Sequence, residues 1–235
     1  MKNTYSNANT LSYDFNVDFA LDKKFIRHNF DRGELRISRD TGEITLIIRW
    51  KYAWEKRWDA KNDWSDAEKN RFHINVNTMI DQVWNNKVSF SVSGNSDFAK
   101  KFRGKKIPFR IEIIKVDENK HWDVHVFKID NDNPNSFRGS KIIWDAAYIE
   151  LDSKDMVSVT KCLDSTNSCR KQIGLAHELG HVIGYLIDEY NTGDSDPSAL
   201  MSIGMELRPR YMIPVTTNLN KMIYDTKFSI KEVLK

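Results

Sequence analysis

Leu175-Ala176-His177-Glu178-Leu179-Gly180-His181-Val182-Ile183-Gly184 is the stretch on which the reading of this chain turns. On an α-helix, residues four apart lie on one face, one turn above the other. His177 and His181 can therefore aim both imidazoles at one ion. Glu178 is rotated about 100° from the first histidine. It cannot share the histidines' geometry, but it can reach a water held by that ion, which is why this spacing suits hydrolysis. The flanks Ile173, Leu175, Leu179, Val182 and Ile183 are apolar, as a buried helix demands and a surface cluster does not. Gly184 can take a positive φ, so it is expected to end the helix and turn the chain back toward the metal.

Away from this stretch, the 235 residues suffice for one good core. Seven Trp, eight Tyr and twelve Phe argue against disorder. The net charge of +3 is spread along the chain, and the densest basic cluster, Lys100 to Lys106, reads as a solvated loop, so no nucleic-acid partner is expected. No stretch approaches the roughly 18 apolar residues of a membrane span. Met1 to Asn7 lacks the apolar core of a secretory signal, which leaves open a cytoplasmic protein or one exported by a signal-independent route. Cys162 and Cys169 are spaced neither as a zinc ribbon nor as a redox pair; a local disulfide and two reduced thiols both remain open.

The first half reads mainly as strands. Leu11 to Phe19 alternates, Leu35 to Ser38 and Ile44 to Tyr52 flank a turn at Asp40-Thr41-Gly42, and Val88 to Val92, Phe109 to Val116, Trp122 to Phe127 and Ile142 to Leu151 follow. A capping box at Ser65 to Glu68 opens a helix whose apolar face is Phe72, Val76, Met79, Ile80, Val83 and Trp84. A second helix, starting near Thr166 to Ser168, carries the histidines. A third covers roughly Val215 to Tyr224, with a short C-terminal helix after it. His121 and His125 read as surface residues, and the tryptophans at 50, 54, 58 and 64 as core and lid packing. The expected fold class is α+β, a twisted mixed sheet packed on a few helices. One domain spans residues 1–235: a sheet-rich part to residue 165, then the metal helix and C-terminal helices, with the cleft between the sheet and the last 50 or so residues.

Asp188 and Glu189 follow the helix, and acids are disfavoured at a helix C-terminus, which points to a ligand role. His177-Glu178-x-x-His181-x-x-Gly184, an acidic third position and Leu200-Met201-Ser202-Ile203-Gly204 downstream together resemble the metzincin-like zincins. Asp188-Glu189-Tyr190, Met201, Gly204 and Arg208-Pro209-Arg210-Tyr211 are similar to bacterial effector metallopeptidase domains of contractile injection systems such as type VI secretion. The resemblance covers roughly residues 170–215. It implies a zincin fold, a Zn²⁺ cofactor and a methionine turn forming the hydrophobic floor beneath the metal. The usual third ligand lies ten residues after the first histidine, at Ile187, which cannot bind zinc. Asp188, one place later, is the expected ligand, with Glu189 and Glu206 as alternatives and Ile187 packing into the core.

The implied activity is a zinc metallopeptidase. Glu178 would be the general base and Tyr211 the oxyanion donor, with Tyr190 as the alternative. A strand within Ile142 to Leu151 would bind the substrate backbone. The implied partners are a peptide or protein substrate, a cell-wall peptide among them, and a cognate immunity protein. A non-catalytic zinc-binding or interaction protein on the same scaffold is the competing expectation.

Overall fold

The computed structural model describes residues 23–30, 32–133, 139–163, 167–191 and 196–234; the strand expected over Leu11 to Phe19 lies outside them. The longest strand, β3 (Ile44–Lys56), organises the rest. Its first half pairs antiparallel with β2 (Gly33–Ser38) and parallel with β5 (Ile107–Lys115). Its second half pairs parallel with β6 (Trp122–Lys128). β1 (Phe25–Phe30) pairs with β2. The sheet extends one way from β5 to β4 (Val88–Gly94) and β11 (Thr226–Val233), and the other way from β6 to β8 (Tyr148–Asp152) and β7 (Lys141–Ile143). Parallel and antiparallel pairs coexist, so the sheet is mixed and the class is α+β, as expected.

Four α-helices accompany it among the described residues. α1 (Asp66–Val83) has the capping box on Ser65 and Glu68 and buries Phe72, Val76, Met79 and Ile80. Trp84, fully buried just past its end, donates its indole N–H to the Ala176 carbonyl at 3.2 Å. That bond ties α1 to α3 (Gly174–Gly184), the helix of the two histidines. α2 (Asp97–Phe102) is short, and α4 (Ile213–Met222) packs near the end of α3. One apolar cluster runs through all these layers from Ile26 to Phe228. Among the described residues, no helix is long and apolar enough to cross a membrane.

Several expectations are corrected. Ile142 to Leu151 is an antiparallel hairpin, because the chain reverses at Ala147 with φ 51°. The segment before α3 is a second hairpin, β9 (Ser158–Leu163) with β10 (Ser168–Ile173), forming its own two-stranded sheet. Cys162 and Cys169 face each other across it and are joined by a disulfide. The C-terminal segment is the strand β11 rather than a helix, so strands occur on both sides of residue 165. The basic stretch starting at Lys100 begins inside α2 and buries Phe102 there, while its charged groups stay exposed. His121 is buried, accepting the Arg49 amide on Nδ1 at 3.0 Å. Trp58 is exposed, whereas Trp54 and Trp64 stack about Phe72 and Tyr52.

Candidate metal centre

α3 buries Leu175, Ala176, Leu179, Val182 and Ile183 and turns His177, Glu178 and His181 into a cleft of about 530 Å³. The helix ends as required, though not by the expected residue. Tyr185 takes the left-handed conformation, φ 58°, and donates its amide to the His181 carbonyl. Gly184 serves a different purpose: a Cβ there would lie 2.3 Å from Pro214 of α4. Glycine is needed for close helix packing, and the strained φ falls one residue later.

Beyond Tyr185 the chain doubles back. The Leu186 carbonyl accepts the Nδ1 proton of His181, and the Leu200 carbonyl accepts that of His177 at 2.8 Å. With Nδ1–H committed to a carbonyl on each ring, both Nε2 atoms carry lone pairs in the neutral form. They turn toward the same oxygen, Asp188 Oδ1, at 2.9 Å from His177 and 3.3 Å from His181. Three lone pairs meeting at one point repel unless a metal ion, or in its place a proton on the imidazoles, lies among them. The chemistry of this donor set fits a metal ion, and the three ligand atoms lie within 4.8 Å of one another. Burial would raise the Asp188 carboxyl, but with protons rather than a metal ion between the groups, hydrogen bonds with His177 and His181 and from the Tyr190 hydroxyl hold it far below the usual range. Burial lowers the His181 pKa, but Asp188 and the Leu186 carbonyl outweigh it and raise the pKa overall.

The other acids separate cleanly. Glu189 is buried and gripped by Arg210 at 2.5 and 2.7 Å, and Tyr211 donates its hydroxyl to it at 3.1 Å. Glu206 pairs with Arg208 at 2.9 Å. Ile187 is 62% exposed and does not reach the core, because the backbone there carries Asp188 inward. Tyr211 is corrected as well. Only 2% exposed, it also receives the Met201 amide on its hydroxyl, so it braces the loop and does not line the cleft. Tyr190 does line the cleft and donates its hydroxyl to Asp188 Oδ2 at 2.8 Å. Burial and the Asp188 charge push its phenol up, so it stays a donor.

Met201 is fully buried beneath α3. Gln172 on β10, which the sequence reading missed, lies under the same turn. Its Nε2 is 2.9, 3.0 and 3.1 Å from the carbonyl oxygens of Leu200, Ser202 and Gly204. It thereby fixes the carbonyl that orients His177. Glu178 lines the cleft; burial raises its pKa against the pull of both histidines and Lys161. Asp155, which also lines the cleft, is pushed well up by burial and by the Asp152 charge, and its carbonyl accepts a first-turn amide of α3, from Leu175, at 3.0 Å. The edge strand β7 also lines the cleft, and no described strand pairs with its outer edge. The chain matches no protein-family model, no curated protein and no solved structure.

Proposed function

We propose that the chain is a zinc-dependent peptidase of the zincin class, hydrolysing a peptide or protein that lies extended along β7. One observation carries this reading: His177, His181 and Asp188 converge at the floor of an open cleft that Glu178, from the same helix, also lines. Two imidazole nitrogens and one carboxylate oxygen suit zinc, and three protein ligands leave a position for water. When bound, zinc supplies Lewis acidity toward that water and the scissile carbonyl.

The chain's own groups do the rest. Glu178 takes a proton from water and delivers it to the leaving amine. Tyr190 holds Asp188 in place and presents its hydroxyl to the cleft, so it replaces Tyr211 as the candidate oxyanion donor. The free backbone edge of β7 can add a substrate strand. Met201 beneath α3 supports the metzincin-like subdivision. The Cys162–Cys169 disulfide suits an oxidising destination, which supports an effector acting on cell-wall peptides with a cognate immunity protein in the producing cell. An open cleft weighs against the non-catalytic zinc-binding alternative, because structural zinc is closed by four protein ligands.

The test is hydrolysis of an unstructured protein by zinc-loaded chain, with Glu178→Gln as the control. Toxicity of the wild type and Glu178→Ala, each directed to cytoplasm or periplasm, then locates the substrate. Stoichiometric zinc without any hydrolysis would sink the peptidase reading.

A further inference from the structure

The cleft contains more positive charge than its chemistry uses. Three acids line it, and each is accounted for. Asp188 is held by the histidines, Asp155 is buried and shifted toward its neutral form, and Glu178 is the base. Of the lysines, Lys154 pairs with Asp132. Lys141 on β7 and Lys161 on β9 both line the cleft, and neither has an ion-pair partner among the described residues.

The β9–β10 hairpin adds a second, independent feature. Directly opposed residues of an antiparallel pair project from the same face. In this register Val159 opposes Gln172 and Lys161 opposes Arg170. Val159 lines the cleft and Gln172 is buried under the loop of residues 200–204, so that face looks into the site. Lys161 lines the cleft, and Arg170 stands exposed directly opposite it on the same face of the hairpin, beyond the cleft lining. Like charges placed directly opposite destabilise a hairpin. The Arg170 guanidinium bonds the Cys169 carbonyl, and no described carboxylate pairs with either residue. The disulfide at the adjacent Cys162–Cys169 pair holds the two together.

We propose that Lys161 and Arg170 form a cationic subsite that selects substrates carrying acidic side chains, with Lys141 of the same cleft adding to the field. This rests on the peptidase reading for what happens to the bound segment, but the subsite itself is a binding property. A peptide added along β7 crosses the cleft facing the hairpin. A Glu or Asp on it supplies a close carboxylate partner, which neither Lys161 nor Arg170 has among the described residues beyond the longer-range pull between Lys161 and Glu178. A basic segment meets repulsion.

The test measures fluorescence anisotropy of three labelled peptides of equal length, rich in Glu, Gln or Lys, binding to zinc-loaded full-length Glu178→Gln. The Glu peptide should bind about ten-fold tighter than the Lys peptide at low salt, and the gap should close as salt rises. Adding Lys161→Glu and Arg170→Glu should reverse the order, with an unchanged thermal midpoint as the folding control. If that pair unfolds the chain, single Gln replacements should each cost about three-fold in Glu-peptide affinity. Equal binding of Glu and Lys peptides, or a preference that survives the reversal, would overturn the subsite. So would a duplex oligonucleotide that displaces the Glu peptide at equal charge concentration, since that is a general polyanion surface. Turnover of the same peptides by the unmutated chain separates the two ideas. Charge preference without turnover removes the peptidase and leaves the subsite; turnover without preference does the reverse.

Discussion

Met201 occupies the space that a side chain at position 180 would need: a Cβ built on Gly180 lies 2.1 Å from the Met201 sulfur. The helix and the loop of residues 200–204 therefore touch at the level between the two histidines. Gly180→Ala must displace one or the other. Stability should fall by about 1–3 kcal/mol, and zinc affinity should fall with it, because the Leu200 carbonyl that orients His177 belongs to the same loop. Urea unfolding and zinc titration check this. Combining Gly180→Ala with Met201→Ala should cost less than the sum of the two single changes; simple additivity would mean that the contact is not what limits position 180.

Glu178→Gln should retain stoichiometric zinc and a wild-type melting curve while hydrolysis falls by about 10²–10⁴-fold. His177→Ala and His181→Ala should instead lose most of the zinc, read by elemental analysis. Full zinc retention in the double histidine variant would dismiss the site.

Asp188 and Glu189 are neighbours with opposite assignments. Asp188→Ala removes a metal donor and should weaken zinc binding by an order of magnitude or more, with little change in apo-protein stability. Glu189→Ala strands the Arg210 guanidinium and the Tyr211 hydroxyl, so it should cost about 1–3 kcal/mol of stability and affect zinc less. The reversed pattern in zinc titrations and melts would transfer the ligand role to Glu189.

His121 gives a pH signature remote from the cleft. Burial, then the Arg49 charge, lowers its pKa from 6.5 to about 4. Between those values the unfolded chain binds a proton that the folded chain refuses. Stability from this residue is therefore complete above about pH 6.5, falls as pH drops toward 4, and is flat below. The ceiling is about 3 kcal/mol. His121→Asn keeps an acceptor for the Arg49 amide and should flatten the pH dependence of urea stability between pH 7 and 4.5. An unchanged slope would exclude His121 as its source.

Where a signal was local, the sequence was legible. Ser65 and Glu68 announce α1, the turn around Gly42 joins β2 to β3, and the four-residue step from His177 to His181 places both on one helical face. Where the determinant was a distant partner, it was not. Phe228 and Ile230 alternate as a strand should, but β11 exists because β4 lies beside it, far away in sequence. The reversal in Ile142 to Leu151 turns on Ala147, a residue type that announces no turn. Nothing local shows that β5 and β6, consecutive in sequence, both pair with β3. Tyr211 follows Met201 in sequence, yet its hydroxyl is directed by Glu189. Gln172 carried no signal, since a lone glutamine before a helix has no distinguishing pattern.

The pairing of β11 with β4 also fixes an order of events. As the chain emerges residue by residue, β4 is complete long before Thr226 to Val233 arrive. During that interval its outer row of amides and carbonyls is an open template on which a second molecule could pair. Phe98 meanwhile waits for Phe228, whose ring ends up 5.9 Å away. β11 thus acts as a clasp: it fastens late, covers the row that β4 had left open, and becomes the border of the sheet itself.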